Sequence, residues 1–138
     1  MSDELEKYDA FQKRMTERFP KMFANPYGGF AVDEGWWPIL EELCSNIQGH
    51  IEWQKGACPQ VIVAQIKEKF GGLRFYYEGG DEQIRGMVSM AEGWAAHTCE
   101  VCGHPGKSRQ GGWIKTLCDY HEAERQQRIK QYENQTGQ

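Results

Sequence analysis

Cys99 and Cys102 are separated by two residues, Cys118 and His121 by two more, and fifteen residues lie between the pairs. Thiolate sulfur and imidazole nitrogen in this C-x2-C, C-x2-H pattern suit a tetrahedral zinc ion, because a two-residue spacing lets one tight turn or one helical turn supply two ligands. Gly103 follows the first pair and can take the positive φ that folds a chain back around a metal. Cys118 and His121 open a polar helical stretch and share one face of its first turn, where the helix dipole favours thiolate. The competing reading of Cys99 and Cys102 is a redox pair, which lacks the strand-motif-helix context of a thioredoxin-like site. His97 and His104 flank the first pair and could replace a ligand, at the cost of the paired spacing. Four protein ligands leave no open position, so one structural Zn2+ is expected.

The elements that must hold this site read as follows. The acidic run Asp3, Glu4 and Glu6 behind Ser2 starts a helix with Leu5, Tyr8, Phe11 or Gln12, Met15 and Phe19 at helical spacing, which Pro20 ends. After the connector Asn25-Pro26-Tyr27-Gly28-Gly29, Gly35-Trp36-Trp37-Pro38 launches a second helix with Leu40, Leu43, Cys44 and Ile47 inside. The paired tryptophans are core anchors or a ligand-stacking surface. Val61 to Phe70, Gly71-Gly72 and Leu73 to Tyr77 form a β-hairpin with the two glycines as its turn. That turn sets Phe70 opposite Leu73, Glu68 opposite Phe75 and Ile66 opposite Tyr77 on an apolar side, and pairs Lys69 with Arg74 and Lys67 with Tyr76 on the other. Asp81 caps a third helix carrying Ile84, Met87 or Val88, Ala91 and Trp94 or Ala95, with an Asp81–Arg85 pair. Residues 111–116 read as a strand of a second hairpin, the last helix spans about Cys118 to Tyr132, and residues 133–138 should fray.

Lys67, Lys69, Arg74 and Tyr76 make a basic strip with an aromatic in it, the composition of a nucleic-acid-binding sheet face or of a solvated face with gatekeeper charges. Lys107, Arg109 and Lys115 could extend it, or belong to an ordinary loop. The chain of 138 residues has a formal charge of −4. Residues 1–57 carry ten acidic and six basic groups, residues 58–98 five and four, and residues 99–138 five and six. That balance argues against wholesale electrostatic capture of nucleic acid, so such binding is expected to be weak. Five cysteines, an odd number, argue against a disulfide framework and for a reducing cytosol, with Cys44 and Cys58 as buried spectators. The N-terminus lacks an apolar leader and no stretch approaches membrane-spanning length, so a cytoplasmic protein without a membrane partner is expected.

Knuckle, hairpin and ligand-bearing helix resemble the treble-clef zinc finger. More closely, Gly35-Trp36-Trp37, the run Lys67-Glu68-Lys69-Phe70-Gly71-Gly72-Leu73-Arg74-Phe75-Tyr76, Thr98-Cys99-Glu100-Val101-Cys102-Gly103, Gly112-Trp113 and Thr116-Leu117-Cys118-Asp119 resemble a family of small bacteriophage and prophage proteins of uncharacterised activity. The resemblance covers roughly residues 30–121 and implies a bacterial host cell and a zinc-bearing tail. The expected fold is α+β: a helical N-terminal part packed with a β-hairpin over residues 1–96, then a treble-clef-like zinc unit over residues 97–138. The expected function is non-enzymatic: an accessory protein that binds a host protein, with nucleic-acid binding as the alternative. An HNH-type nuclease also uses a treble clef, but it needs a histidine base on the hairpin strand, and Trp113 to Thr116 has none. No nucleophile and base pair stands out for a small-molecule enzyme.

Overall fold

The computed structural model describes residues 3–136. Its architecture is α+β, with four helices, a three-stranded sheet and a two-stranded hairpin in the order α1 (Asp3–Arg18), β1 (Phe30–Ala31), α2 (Trp37–Trp53), β2 (Ile62–Lys69), β3 (Gly72–Glu78), α3 (Glu82–Ala95), β4 (Lys107–Arg109), β5 (Lys115–Leu117) and α4 (Asp119–Gln135). The Ser2 helix-start signal and the last two residues of the expected fraying end lie outside the described residues. A 3-10 turn over Glu34–Trp36 feeds α2, which carries Pro38 in its first turn, where the missing N–H costs no hydrogen bond.

Phe11 and Met15 of α1, Leu40 and Ile47 of α2, and Ile84 and Val88 of α3 bury against Val63, Ile66, Leu73 and Phe75 of the sheet. The 3.6-residue spacing of the helices and the alternation of the strands bring these apolar positions together. Trp36 is fully buried and Trp37 stacks on Phe11 at 4.6 Å between centroids, so both tryptophans belong to the core. The connector after α1 contributes β1, which pairs parallel to β2 with Phe30 opposite Ile66. This two-residue strand is too short to show in the sequence pattern.

The main hairpin differs in register from the sequence expectation. Its turn residues are Phe70 and Gly71, at φ +55° and +78°, so Lys69 pairs with Gly72, Glu68 with Leu73, Lys67 with Arg74 and Ile66 with Phe75. This register sets two buried side chains, Ile66 and Phe75, directly opposite each other, and a bulge between Val63 and Gln65 returns Val63 to the core. The Glu68 carboxylate accepts the Gly71 N–H at 2.7 Å and braces the turn. Lys67, Lys69, Arg74 and Tyr76 keep a common outer face, but Lys67 faces Arg74 rather than Tyr76.

Three further expectations change. Asp81 caps α3 through Ile84 N–H as foreseen, but its ion pair is with His50 at 2.8 Å, and Arg85 pairs with Glu82. The second hairpin strand is Lys115–Leu117, shorter and later than residues 111–116, because Gly111 and Gly112 take positive φ and leave the ladder. The last helix runs to Gln135, past Tyr132, and exposes most of its length. No helix among the described residues is long and apolar enough to cross a membrane.

Candidate metal centre

The first ligand pair sits in a knuckle set by backbone hydrogen bonds. Cys99 N–H donates to His104 O at 2.8 Å, Gly103 N–H to Cys99 O at 3.0 Å and Gly106 N–H to His97 O at 2.9 Å, with Gly103 at φ +82°. The second pair comes from the start of α4. Cys118 is its N-cap, in extended conformation, with its sulfur accepting from His121 N–H at 3.5 Å, so the residue that starts the helix also faces the site. The β4–β5 hairpin joins the halves, with Ser108 opposite Thr116.

These elements converge Cys99, Cys102, Cys118 and His121, with one ligand atom each, all within 4.8 Å of one another. Cys102 Sγ lies 3.8 Å from Cys118 Sγ, and His121 Nδ1 lies 3.7 Å from Cys99 Sγ and 3.3 Å from Cys118 Sγ. Around a tetrahedral ion with metal–sulfur bonds of about 2.3 Å and a metal–nitrogen bond of about 2.0 Å, sulfurs lie about 3.8 Å apart and sulfur and nitrogen about 3.5 Å apart. These three distances lie close to those spacings, and the cluster could hold a metal ion. Burial of Cys99 works to raise its thiol, but backbone N–H groups of Cys118, Cys102 and Val101 outweigh it and hold the thiol below its usual value. His104 places Nδ1 3.3 Å from Cys102 Sγ, beside the four-residue group, whereas His97 is exposed.

The cluster is bolted to the body. Gly35 N–H donates to Glu100 O at 2.8 Å, Trp36 Nε1 donates to Thr98 O at 2.9 Å, and Thr116 Oγ1 donates to Gly71 O at 2.6 Å. A Cβ on Gly35 would stand 2.1 Å from Cys99 O, so only glycine allows this approach. Glu100, between the two knuckle cysteines, is buried and accepts Thr116 N–H at 2.7 Å and Lys115 Nζ at 3.3 Å. Burial pushes its carboxyl up, against the pull of Thr116 N–H and Lys115. The sequence signal for this role of Glu100 is a carboxylate placed between the two cysteines of the knuckle.

The basic residues divide. Lys115 is held by Glu100, and Arg109 donates to Leu117 O and to Asp119 at 2.7 Å. Lys107 is exposed at the start of β4. Among the described residues Lys67, Lys69 and Arg74 form no ion pair, and Lys67 Nζ lies 5.9 Å from the centroid of the Tyr76 ring. Beside them a groove of about 340 Å³ runs between the hairpin tip and the loop before β5, walled by Phe70 and Trp113, which are 72% and 74% exposed. The Trp113 loop is held by buried Arg125 of α4, which donates to Gly111 O at 3.2 Å and to Trp113 O. Phe70 and Trp113 were expected within strands but lie outside them, so the groove has no signature in the sequence pattern.

A second cluster also escaped it. His50 at the end of α2, Cys58 in the following loop and Asp81 at the cap of α3 place one ligand atom each within 4.8 Å of one another. Hydrogen bonds from His50, then from Ile84 N–H, hold the Asp81 carboxyl below its usual range, and burial with Asp81 alongside pushes the Cys58 thiol up. No protein-family model, curated protein or solved structure matches this chain.

Proposed function

We propose that the chain is a non-enzymatic binding protein of bacteriophage or prophage origin, acting in the cytoplasm of a bacterial host, with one structural Zn2+ on Cys99, Cys102, Cys118 and His121. Three sulfurs and one imidazole form a soft to borderline donor set that suits zinc over hard cations, and four protein ligands leave no position for a reacting water. A treble-clef-like unit of this kind serves as a rigid clip. It fixes the loop that carries Trp113 against the tip that carries Phe70.

The partner we infer is a host protein, and inhibition of host machinery or defence is the form of this function that the phage resemblance suggests. The supporting observation is the groove between Phe70 and Trp113, two large aromatic rings held in solvent with Lys69 at the rim. Exposed aromatic side chains lining a groove are characteristic of protein-interface cores and hot spots. Phe70 adopts φ +55°, a conformation that costs a side-chain-bearing residue about 1 kcal/mol, so its placement at the tip opposes stability.

A second reading, nucleic-acid binding, draws on Lys67, Lys69 and Arg74, which form no ion pair among the described residues and lie beside Tyr76. The internal engagement of Arg109 and Lys115 leaves that strip few cations. One experiment separates the two: capture by the tagged protein from lysogenic or infected cells, with and without nuclease. A protein retained after nuclease, and lost in the double variant Phe70→Ala, Trp113→Ala, supports the first reading. Retention of oligonucleotide, lost on Lys69→Glu with Arg74→Glu, would replace it with the second.

A further inference from the structure

His50, Cys58 and Asp81 come from three elements that meet at one corner of the body, 31 residues apart at their extremes. The loop that delivers Cys58 is fixed on both sides. Gly80 N–H donates to Pro59 O at 3.0 Å, the side chains of Gln48 and Gln60 bond each other at 2.7 and 3.2 Å, and a Cβ on Gly79 would stand 2.2 Å from Gln60 O. Asp81 is fixed as well, because its Oδ1 accepts the Ile84 N–H at 3.0 Å while its Oδ2 meets His50 Nε2 at 2.8 Å. The His50 side chain is nearly enclosed and Cys58 is buried, whereas Asp81 stays 37% exposed at the mouth. Cys58 belongs to the buried core and its thiol donates to Pro59 O at 3.6 Å, yet its sulfur also stands within 4.8 Å of the ligand atoms of both His50 and Asp81.

We propose that His50, Cys58 and Asp81 form a second divalent transition-metal site, separate from the Cys3His cluster, with three protein ligands and a fourth position open beside Asp81. Imidazole, thiolate and carboxylate together select Zn2+ or Co2+ over Mg2+ and Ca2+, which take oxygen ligands. The charges close: one thiolate and one carboxylate neutralise a divalent ion, with His50 neutral. Binding releases the Cys58 thiol proton to solvent and leaves the imidazole proton on Nδ1, freeing Nε2 as the ligand atom. Around a tetrahedral ion a carboxylate oxygen and an imidazole nitrogen lie about 3.3 Å apart, so the pair must open by roughly 0.5 Å. Three protein ligands with one exchangeable position is the arrangement of reactive rather than purely structural zinc sites.

The test uses the full chain with its Cys3His cluster already zinc-loaded, titrated with Co2+ and followed by the absorbance of thiolate-to-cobalt charge transfer. The expected result is one additional equivalent of Co2+ with a single-thiolate band, abolished in Cys58→Ser and weakened at least tenfold in His50→Gln, while the zinc content of both variants stays at the wild-type level. Circular dichroism identifies a variant that fails to fold, and Asp81→Asn, which keeps the helix cap, then serves in its place with the same expected loss. No additional Co2+ equivalent in the wild type, or one that persists in Cys58→Ser, overturns the proposal.

Discussion

Replacing Gly35 by alanine should damage the metal unit although Gly35 contributes no ligand and lies 64 residues before Cys99. A Cβ there would stand 2.1 Å from Cys99 O and 2.5 Å from the carbonyl of Glu100, all of it backbone. Restoring an ordinary contact of about 3.4 Å requires a shift of about 1.3 Å, and metal ligand distances tolerate only about 0.2 Å. Overpacking of this kind costs roughly 1–3 kcal/mol, and distortion of the 2.8 Å Gly35 N–H to Glu100 O bond adds about 1 kcal/mol. A total of about 2–4 kcal/mol is a large part of a small domain's stability. Thermal melting and competition with a chelator should therefore show a lowered midpoint and a weaker hold on the ion, about tenfold for each 1.4 kcal/mol of strain relieved by releasing it. Gly49→Ala and Gly86→Ala, in helices with open space at the Cβ, are the controls and should be neutral or stabilising by up to about 1 kcal/mol. A Gly35→Ala protein that melts and holds metal like the wild type would show that body and cluster are not clamped at this point.

Phe70→Asn should raise stability by about 1 kcal/mol, because asparagine accepts positive φ more readily, and should weaken partner capture; unchanged capture would remove Phe70 from the binding surface. Chelation should expose the Gly35 amide, bonded to Glu100 O, and the knuckle amides to hydrogen exchange while Val63 N–H, bonded to Met22 O, stays protected; loss of protection at both together would make the chain one cooperative unit. Hydrogen bonds from Arg14 and then Arg18, against the opposing effect of burial, hold the Glu41 carboxyl below its usual range, so this contribution is present above the ordinary glutamate pKa and lost as pH falls through the lowered one. The advantage of wild type over Glu41→Gln, roughly 1 kcal/mol at neutral pH for a surface-lying pair, should shrink below about pH 4, and an advantage unchanged in acid would refute the sign. If the outer strip binds single strands through Lys67, Lys69 and Arg74, the logarithm of affinity should fall against that of salt with a slope of about 2; a slope near zero would leave no phosphate contacts.

Helix starts and inner faces were legible because local chemistry fixes them: Asp81 as a cap, Pro38 in a first turn, and Leu40, Leu43, Cys44 and Ile47 at helical spacing. The cluster of Cys99, Cys102, Cys118 and His121 that could hold a metal ion was legible for the same reason, since each pair is local and the pattern needs only one loop to close. What escaped depends on contacts distant in sequence. The hairpin register turned on Ile66 meeting Phe75 and on Gly71 packing against the backbone of Lys115, neither visible from two adjacent glycines that could each serve a turn. Lys115 and Arg109 looked free because their partners, Glu100 and Asp119, lie 15 and 10 residues away. His50, Cys58 and Asp81 carry no motif spacing at all; the packing of α2 against α3, together with the loop held by the Gly80–Pro59 and Gln48–Gln60 hydrogen bonds, joins them.

The central claim is that Cys99, Cys102, Cys118 and His121 hold one structural zinc, and elemental analysis after dialysis against a mild chelator tests it most directly. Wild type should retain about one equivalent of zinc in this cluster, and Cys102→Ser and Cys118→Ser should lose it; serine at 118 remains a good N-cap, so the loss reports the ligand rather than the helix start. Full retention of the ion in both variants would contradict the account.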